Sequence, residues 1–171
     1  MTLFEQESKY LMNTYATLPI EISYGQGSYL FDKNNNKYID FTSGIGVNSL
    51  GYNNADWKNS IISQLNKFQH LSNIFTNDST VSLAKKLCEL SGMDKVFFAN
   101  SGAEANECAI KLARKYSFNK YGEGRGTILS LKQSFHGRTL ATLTATGQDK
   151  FHNYFFPFPT GFNYVTANSI D

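Results

Sequence analysis

The sequence predicts an α/β fold with parallel strands, and three observations carry that expectation. Val96-Phe97-Phe98-Ala99 and Ile128-Leu129-Ser130-Leu131 are short apolar runs of the kind that buried parallel strands show. Between them Ala105, Cys108, Ala109, Leu112, Ala113 and Tyr116 recur at the spacing of one helical face. Strand, helix, strand is the order of a parallel unit, whose two strands need not be neighbours.

Upstream, the pattern from Ser8 to Tyr15 is weakly helical, and Pro19 opens an extended stretch. Ile20-Glu21-Ile22 and Tyr29-Leu30-Phe31 read as strands joined through Gly25-Gln26-Gly27-Ser28, and Tyr38-Ile39-Asp40-Phe41 follows the Asn34-Asn35-Asn36 turn as a third. The glycine-punctuated run Ser43-Gly44-Ile45-Gly46-Val47-Asn48-Ser49-Leu50-Gly51 is expected to be irregular. Helical spacing resumes at Trp57, Ile61, Ile62 and Leu65, and again at Leu83, Ala84, Leu87, Cys88 and Leu90. The expected division is an amino-terminal segment with a small meander over 1–55 and an α/β domain over 56–171. There is no repeat and no low-complexity tract.

Composition narrows the function. The chain of 171 residues is 41% hydrophobic and 18% charged, enough to bury a core. A net charge of +2 is too small a bias to point to nucleic acid or an anionic membrane. Cys88 and Cys108 sit at apolar helical positions with no CxxC spacing and no histidine cluster, so neither a disulfide nor a metal site is expected. The start, Met1-Thr2-Leu3-Phe4-Glu5-Gln6-Glu7, lacks the basic and apolar regions of a signal peptide, and a cytoplasmic location is expected.

Parallel strands place ligands beyond their carboxyl ends. Asn100-Ser101-Gly102-Ala103 follows the first strand and opens the helix, and Ser101-x-x-Glu104 fits a capping box. Small residues at a helix start leave backbone N–H groups open at the positive end of the helix dipole, which suits a phosphate. Beyond the second strand lies Ser134-Phe135-His136-Gly137-Arg138-Thr139, expected at the same sheet edge. Phe135 could stack on a planar ring or belong to the core. His136 could be a ligand contact or a packing residue. Arg138 could clamp a carboxylate with two parallel hydrogen bonds or be a surface charge.

Ser101-Gly102-Ala103-Glu104-Ala105-Asn106-Glu107 followed by Phe135-His136-Gly137-Arg138-Thr139 resembles the paired signature of class III aminotransferases. The segments Gly25-Gln26-Gly27-Ser28, Gly44 to Gly51 and Thr146-Gly147-Gln148 are similar to the acetylornithine branch, and the resemblance runs from about Tyr15 to the end. It implies the amino-terminal part of the fold type I (aspartate aminotransferase-like) transferase fold, with an incomplete large-domain sheet, and pyridoxal 5′-phosphate (PLP) as cofactor. Ser101, Gly102, Ala103, Phe135 and His136 are the implied cofactor contacts: the Gly102 and Ala103 amides on the phosphate and Phe135 over the pyridine ring. Arg138 is implied to bind the substrate carboxylate. Tyr15, in Tyr15-x-x-Leu18-Pro19, resembles a substrate-side residue of ornithine aminotransferases, or is a packing tyrosine. Ser72-Asn73-Ile74-Phe75 and Gly44 to Val47 match stretches that line the partner subunit's site in a homodimer.

The implied activity is transfer of an amino group from N-acetylornithine to 2-oxoglutarate in arginine biosynthesis. Ornithine and 4-aminobutyrate transaminases are the nearest alternatives, and a non-catalytic gene fragment is a third. The cofactor-bearing lysine and the acid that pairs with the pyridine nitrogen lie in later family segments; Lys95, Lys111 and Lys132 do not match the lysine motif. The chain is therefore expected to be a truncated, inactive portion with no catalytic residue of its own. Gly51-Tyr52-Asn53-Asn54-Ala55 departs from the family, which has histidines and a proline there. Gly122-x-Gly124-x-Gly126 is not a dinucleotide fingerprint, because it follows a helix and precedes a strand.

Overall fold

A computed structural model describes residues 1–169. The chain forms two compact units, Met1–Phe75 and Thr76 onward.

In the first unit, helix α1 spans Leu3–Tyr10, earlier than the Ser8–Tyr15 stretch that periodicity favoured. A capping box overrides the weak apolar spacing: Thr2 Oγ1 accepts the Glu5 N–H at 3.2 Å, and the Glu5 carboxylate accepts the Thr2 N–H at 2.7 Å. The meander is antiparallel, in the order β1 (Ile22–Gln26), β2 (Tyr29–Asp32), β3 (Lys37–Ile39). Strand β1 starts later than expected and runs through Gly25-Gln26. The turn shrinks to Gly27-Ser28, where Gly27 takes the left-handed φ of 56°. Tyr24 and Phe31 stack face to face across the pair, centroids 4.6 Å apart.

Two aspartates hold the loops of this unit. Asp32 accepts the N–H groups of Asn34 and Asn36 and the Asn36 side-chain amide, all within 2.9 Å, and the Asn36 contact leads in lowering its pKa. Asp40 accepts the Thr42 hydroxyl at 2.6 Å and the Tyr52 hydroxyl at 2.7 Å. Those bonds, that from Thr42 first, hold its pKa at about 2. Residues 43–50 are a run of turns, with Ser43, Gly44, Ile45 and Gly46 all at positive φ. Helix α2 (Ala55–Leu65), capped by Asn54, belongs to this unit, whereas the sequence grouped it with the second.

In the second unit, α3 (Asp78–Ser91) begins at an Asn77 cap and ends at Gly92. Val96–Ala99 is not a buried strand: it is bonded into no sheet, and Phe97 and Phe98 are 64% and 42% exposed. An apolar run becomes a strand only when a neighbour takes up its backbone groups, and no described strand does so. Helix α4 (Gly102–Tyr121) follows, then β4 (Ile128–Leu131). Strand β4 pairs in parallel with β5 (Phe162–Val165), in register from Ile128 opposite Phe162 to Leu131 opposite Val165. Between them lie a short helix, α5 (Leu140–Ala145), and one 3-10 turn at Asp149–Phe151.

Helix α5 is the best-buried element. Thr142 and Thr146 are inaccessible, and Leu143 and Ala145, with Ile110 of α4, are the buried apolar residues among those described. The Leu143 carbonyl is bonded to the His152 ring at 3.0 Å, and the Thr144 carbonyl accepts the Tyr164 hydroxyl.

The buried face of α4 is also not the one expected. Of the expected face, Ala105, Ala109, Leu112, Ala113 and Tyr116 are exposed and Cys108 is half-buried, while Ala103, Asn106, Glu107, Ile110, Arg114 and Ser117 are covered to varying degrees. Arg114 Nε donates to the Gly126 carbonyl at 3.1 Å and its Nη2 to that of Thr160 at 3.0 Å; Ser117 Oγ donates to the Arg125 carbonyl at 2.7 Å. Polar anchoring to the neighbouring loops thus decides the inner face, and of the apolar stripe only Ala109 and Ala113 border β4, across a hollow.

Candidate functional site

The amino-terminal turn of α4 and the loop after β4 meet in the second unit. Ser101 caps the helix, its Oγ accepting the Glu104 N–H at 3.2 Å. The Glu104 carboxylate turns back to the Asn100 N–H at 2.6 Å, one residue before the cap, so the reciprocal half of the expected capping box is displaced. Gly102 and Ala103 are the first two helical residues, and the N–H groups there have no intrahelical acceptor. A Cβ added at Gly102 meets nothing within 4 Å, so the space beside this turn, where a side chain would stand, is open. Two backbone N–H groups, a serine hydroxyl and free volume at the positive helix end form a donor set suited to a phosphate ester.

The loop is fixed against this turn. Gly137 is buried at φ 128°, and a Cβ there would come within 2.7 Å of Ala103 Cβ and 2.7 Å of Thr142 Oγ1. Only a residue without a side chain allows this approach. The His136 N–H donates to Thr146 Oγ1 at 3.0 Å, and its carbonyl accepts Asn106 Nδ2 at 2.8 Å. His136 also borders a largely apolar hollow of about 250 Å³ between α4 and β4, with Asn106, Ile110, Ser130 and Ala145.

On the outer side, Phe135 is 54% exposed and meets Phe151 edge-on, with centroids 6.0 Å apart. The Arg138 guanidinium lies 5.9 Å from the centroid of the same Phe151 ring. One aromatic ring therefore neighbours both the proposed ring-stacking side chain and the proposed carboxylate clamp. An exposed aromatic face beside a helix-start donor set fits a planar phosphorylated ring.

The structure thus brings Ser101, Gly102, Ala103, Phe135, His136 and Arg138 into one unit and seats their loop on their helix. Tyr15 lies in the other unit. It is 70% exposed and borders a hollow of about 230 Å³ with Phe4, Glu7, Leu11 and Met12. Gly44 to Val47 and Ser72 to Phe75 belong to that unit too. Sequence reasoning missed Asn106, Glu107, Thr142 and Phe151. Asn106 and Glu107 stand inside the first motif, and two adjacent polar residues beside an apolar stripe were the available signal. Phe151 gave none.

Fold and site together define a class. The aminotransferase class-III family model matches residues 10–170, and the chain belongs to that family of PLP-dependent enzymes. Within it, the chain is 54% identical over 165 residues to the acetylornithine aminotransferase of Haemophilus ducreyi, covering 96% of this chain and 42% of that protein. The succinylornithine transaminase of Photorhabdus laumondii is 46% identical over 145 residues, covering 85% of this chain and 36% of its own length. Among solved structures, the ornithine aminotransferase of Toxoplasma gondii matches with a TM-score of 0.91 at 28% identity, over 97% of this chain and 40% of that one. The fold is therefore a partial fold type I transferase fold, and the chain spans about two-fifths of the length of these relatives. Among the described residues, no helix is long and apolar enough to cross a membrane, and no cluster of His, Cys, Asp and Glu suits a metal ion.

Proposed function

We propose that this chain is the cofactor-phosphate and substrate-carboxylate half of an acetylornithine aminotransferase, a cytoplasmic homodimer that moves the amino group of N-acetylornithine to 2-oxoglutarate. The reading rests on the seating of Gly137 against Ala103, which unites the phosphate-type helix start with the loop bearing Phe135 and Arg138. Identity to the Haemophilus enzyme over 96% of the chain supports the choice of substrate.

In this reading the Gly102 and Ala103 N–H groups and the Ser101 side chain hold the phosphate. Phe135 covers one face of the pyridine ring, and His136 supports that loop from behind. Arg138 holds a substrate carboxylate, and Tyr15 contributes on the substrate side. PLP, when bound, would supply the electron sink that acidifies the C–H of the carbon bearing the transferred amino group. None of the residues assigned here moves that proton.

The test is an assay of the full-length protein with N-acetylornithine, ornithine, 4-aminobutyrate and N-succinylornithine as donors. A higher kcat/KM for N-acetylornithine than for the other three is expected. Preference for any other donor overturns the substrate assignment while leaving the cofactor site standing.

A further inference from the structure

The loop that carries Arg138 is bound to α4 at two points, and the stronger is a side-chain relay that phosphate binding does not require. Glu107, on the covered face of α4, accepts the Thr139 hydroxyl at 2.5 Å. Thr139 Oγ1 lies 2.7 Å from Thr142 Oγ1, and the Thr139 N–H donates to Thr142 Oγ1 at 3.0 Å. An ionised carboxylate only accepts, so the single Thr139 proton goes to Glu107 and the Thr142 proton goes to Thr139. The direction of each bond is then set, and Thr142 is inaccessible to water. The second point is the Asn106 bond to the His136 carbonyl. These contacts bracket Arg138, one ahead of it and one immediately behind it.

We propose that Glu107, assisted by Asn106, is a positioning residue that sets where Arg138 presents its guanidinium, and so tunes recognition of the substrate carboxylate. This rests on the reading of Arg138 as the carboxylate clamp. Glu107 touches neither cofactor nor substrate; it acts through Thr139, the residue next to Arg138. A bidentate contact is sensitive to displacements well below the length of a hydrogen bond, so losing one anchor beside it weakens the clamp before it weakens the fold. The phosphate side has further support of its own in the Gly137–Ala103 contact and the Ser101 cap.

The experiment uses the full-length holoenzyme, with glutarate as an unreactive dicarboxylate probe. Glutarate affinity is followed by the cofactor's visible absorbance, PLP affinity by equilibrium dialysis, and KM and kcat for 2-oxoglutarate by steady-state assay. Glu107→Ala is expected to weaken glutarate binding about tenfold and to raise KM similarly, the scale of one hydrogen bond to a charged group, with kcat and PLP affinity within about twofold. Glu107→Gln, whose amide oxygen still accepts from Thr139, is expected to restore both. If Glu107→Ala is insoluble, Asn106→Asp is read instead: it removes the donor to His136 and is expected to show the same split.

Arg138→Ala separates the two ideas. If it abolishes glutarate binding while the anchor variants change nothing, the positioning role is refuted and the function stands. If Arg138→Ala itself leaves glutarate binding intact, the carboxylate assignment fails and takes this inference with it. Equal losses of glutarate affinity, PLP affinity and thermal stability in Glu107→Ala, unrescued by Gln, reduce Glu107 to a structural residue and overturn the proposal.

Discussion

Substituting Gly137 and Gly102, two glycines of one site, by alanine should give opposite results. At Gly137 the new methyl lies 2.7 Å from Ala103 Cβ, 2.9 Å from Ala103 Cα and 2.7 Å from Thr142 Oγ1, at a φ of 128° that L-residues rarely adopt. None of these neighbours is the free end of a flexible chain, so the loop must lift off the helix. Overpacking and backbone strain together come to about 2–6 kcal/mol. That is a large share of the ~5–15 kcal/mol typical of a folded protein. At Gly102 the methyl meets nothing within 4 Å and φ is ordinary, so the same change costs the apo fold nothing. It does place a methyl in the volume assigned to the phosphate. In full-length protein, Gly137→Ala should lower Tm, while Gly102→Ala should leave apo Tm unchanged and weaken PLP binding. The assays are differential scanning fluorimetry of the cofactor-free protein and equilibrium dialysis with PLP. A Gly102→Ala protein that binds PLP as tightly as the parent would refute the phosphate assignment. A Gly137→Ala protein with unchanged Tm would refute the close-approach argument.

Arg138→Ala in the full-length enzyme should reduce kcat/KM for both carboxylate substrates by at least about tenfold, since a charged hydrogen bond contributes ~1.5–3 kcal/mol. Steady-state kinetics would check this, with wild-type kcat/KM as the contrary result. Asp40 has a folded pKa of about 2, below its ordinary 3.8. Its contribution is therefore complete above pH 3.8 and lost as the pH falls through about 2. Asp40→Ala should make near-ultraviolet circular dichroism of the first unit less dependent on pH across that interval. The isolated 171-residue chain should self-associate and melt with little cooperativity, given three buried apolar residues among those described and exposed rings such as Phe41, Tyr154 and Phe156. Sedimentation velocity and a thermal scan test this, and a monomer with a sharp melt at high temperature would contradict it.

Much of this architecture was legible because local signals and tertiary needs agreed. The Asn54 and Asn77 caps, Gly92 and Gly122 bracket helices that apolar spacing already marked, and Ile128–Leu131 is a strand as expected. Where they disagreed, the tertiary need won. Val96–Ala99 has the composition of a strand but no neighbour to bond among the described residues. Leu112 and Tyr116 have the spacing of a core face, yet Arg114 and Ser117 turn inward because loop carbonyls need donors. Strand β5 hid among aromatic residues that carried no period. The seating of Phe135 to Thr139 against α4 could not be read from spacing either, because it depends on the absence of a side chain at Gly137 and on the pairing of Glu107 with Thr139.

Helix α4 holds its surroundings in an unusual way. Asn106 reaches the carbonyl of His136, Ser117 that of Arg125, and Arg114 those of Gly126, Thr160 and Gly161. Each of these contacts grips main chain, an atom that every amino acid supplies. The Thr160 side chain takes no part in these bonds and can be exchanged without breaking them. Such a helix is a mounting rail: at these points it fixes where the main chain runs. Change is therefore tolerated at Thr160 and penalised at Gly137 and Thr139, where α4 reads the residue and not only its backbone.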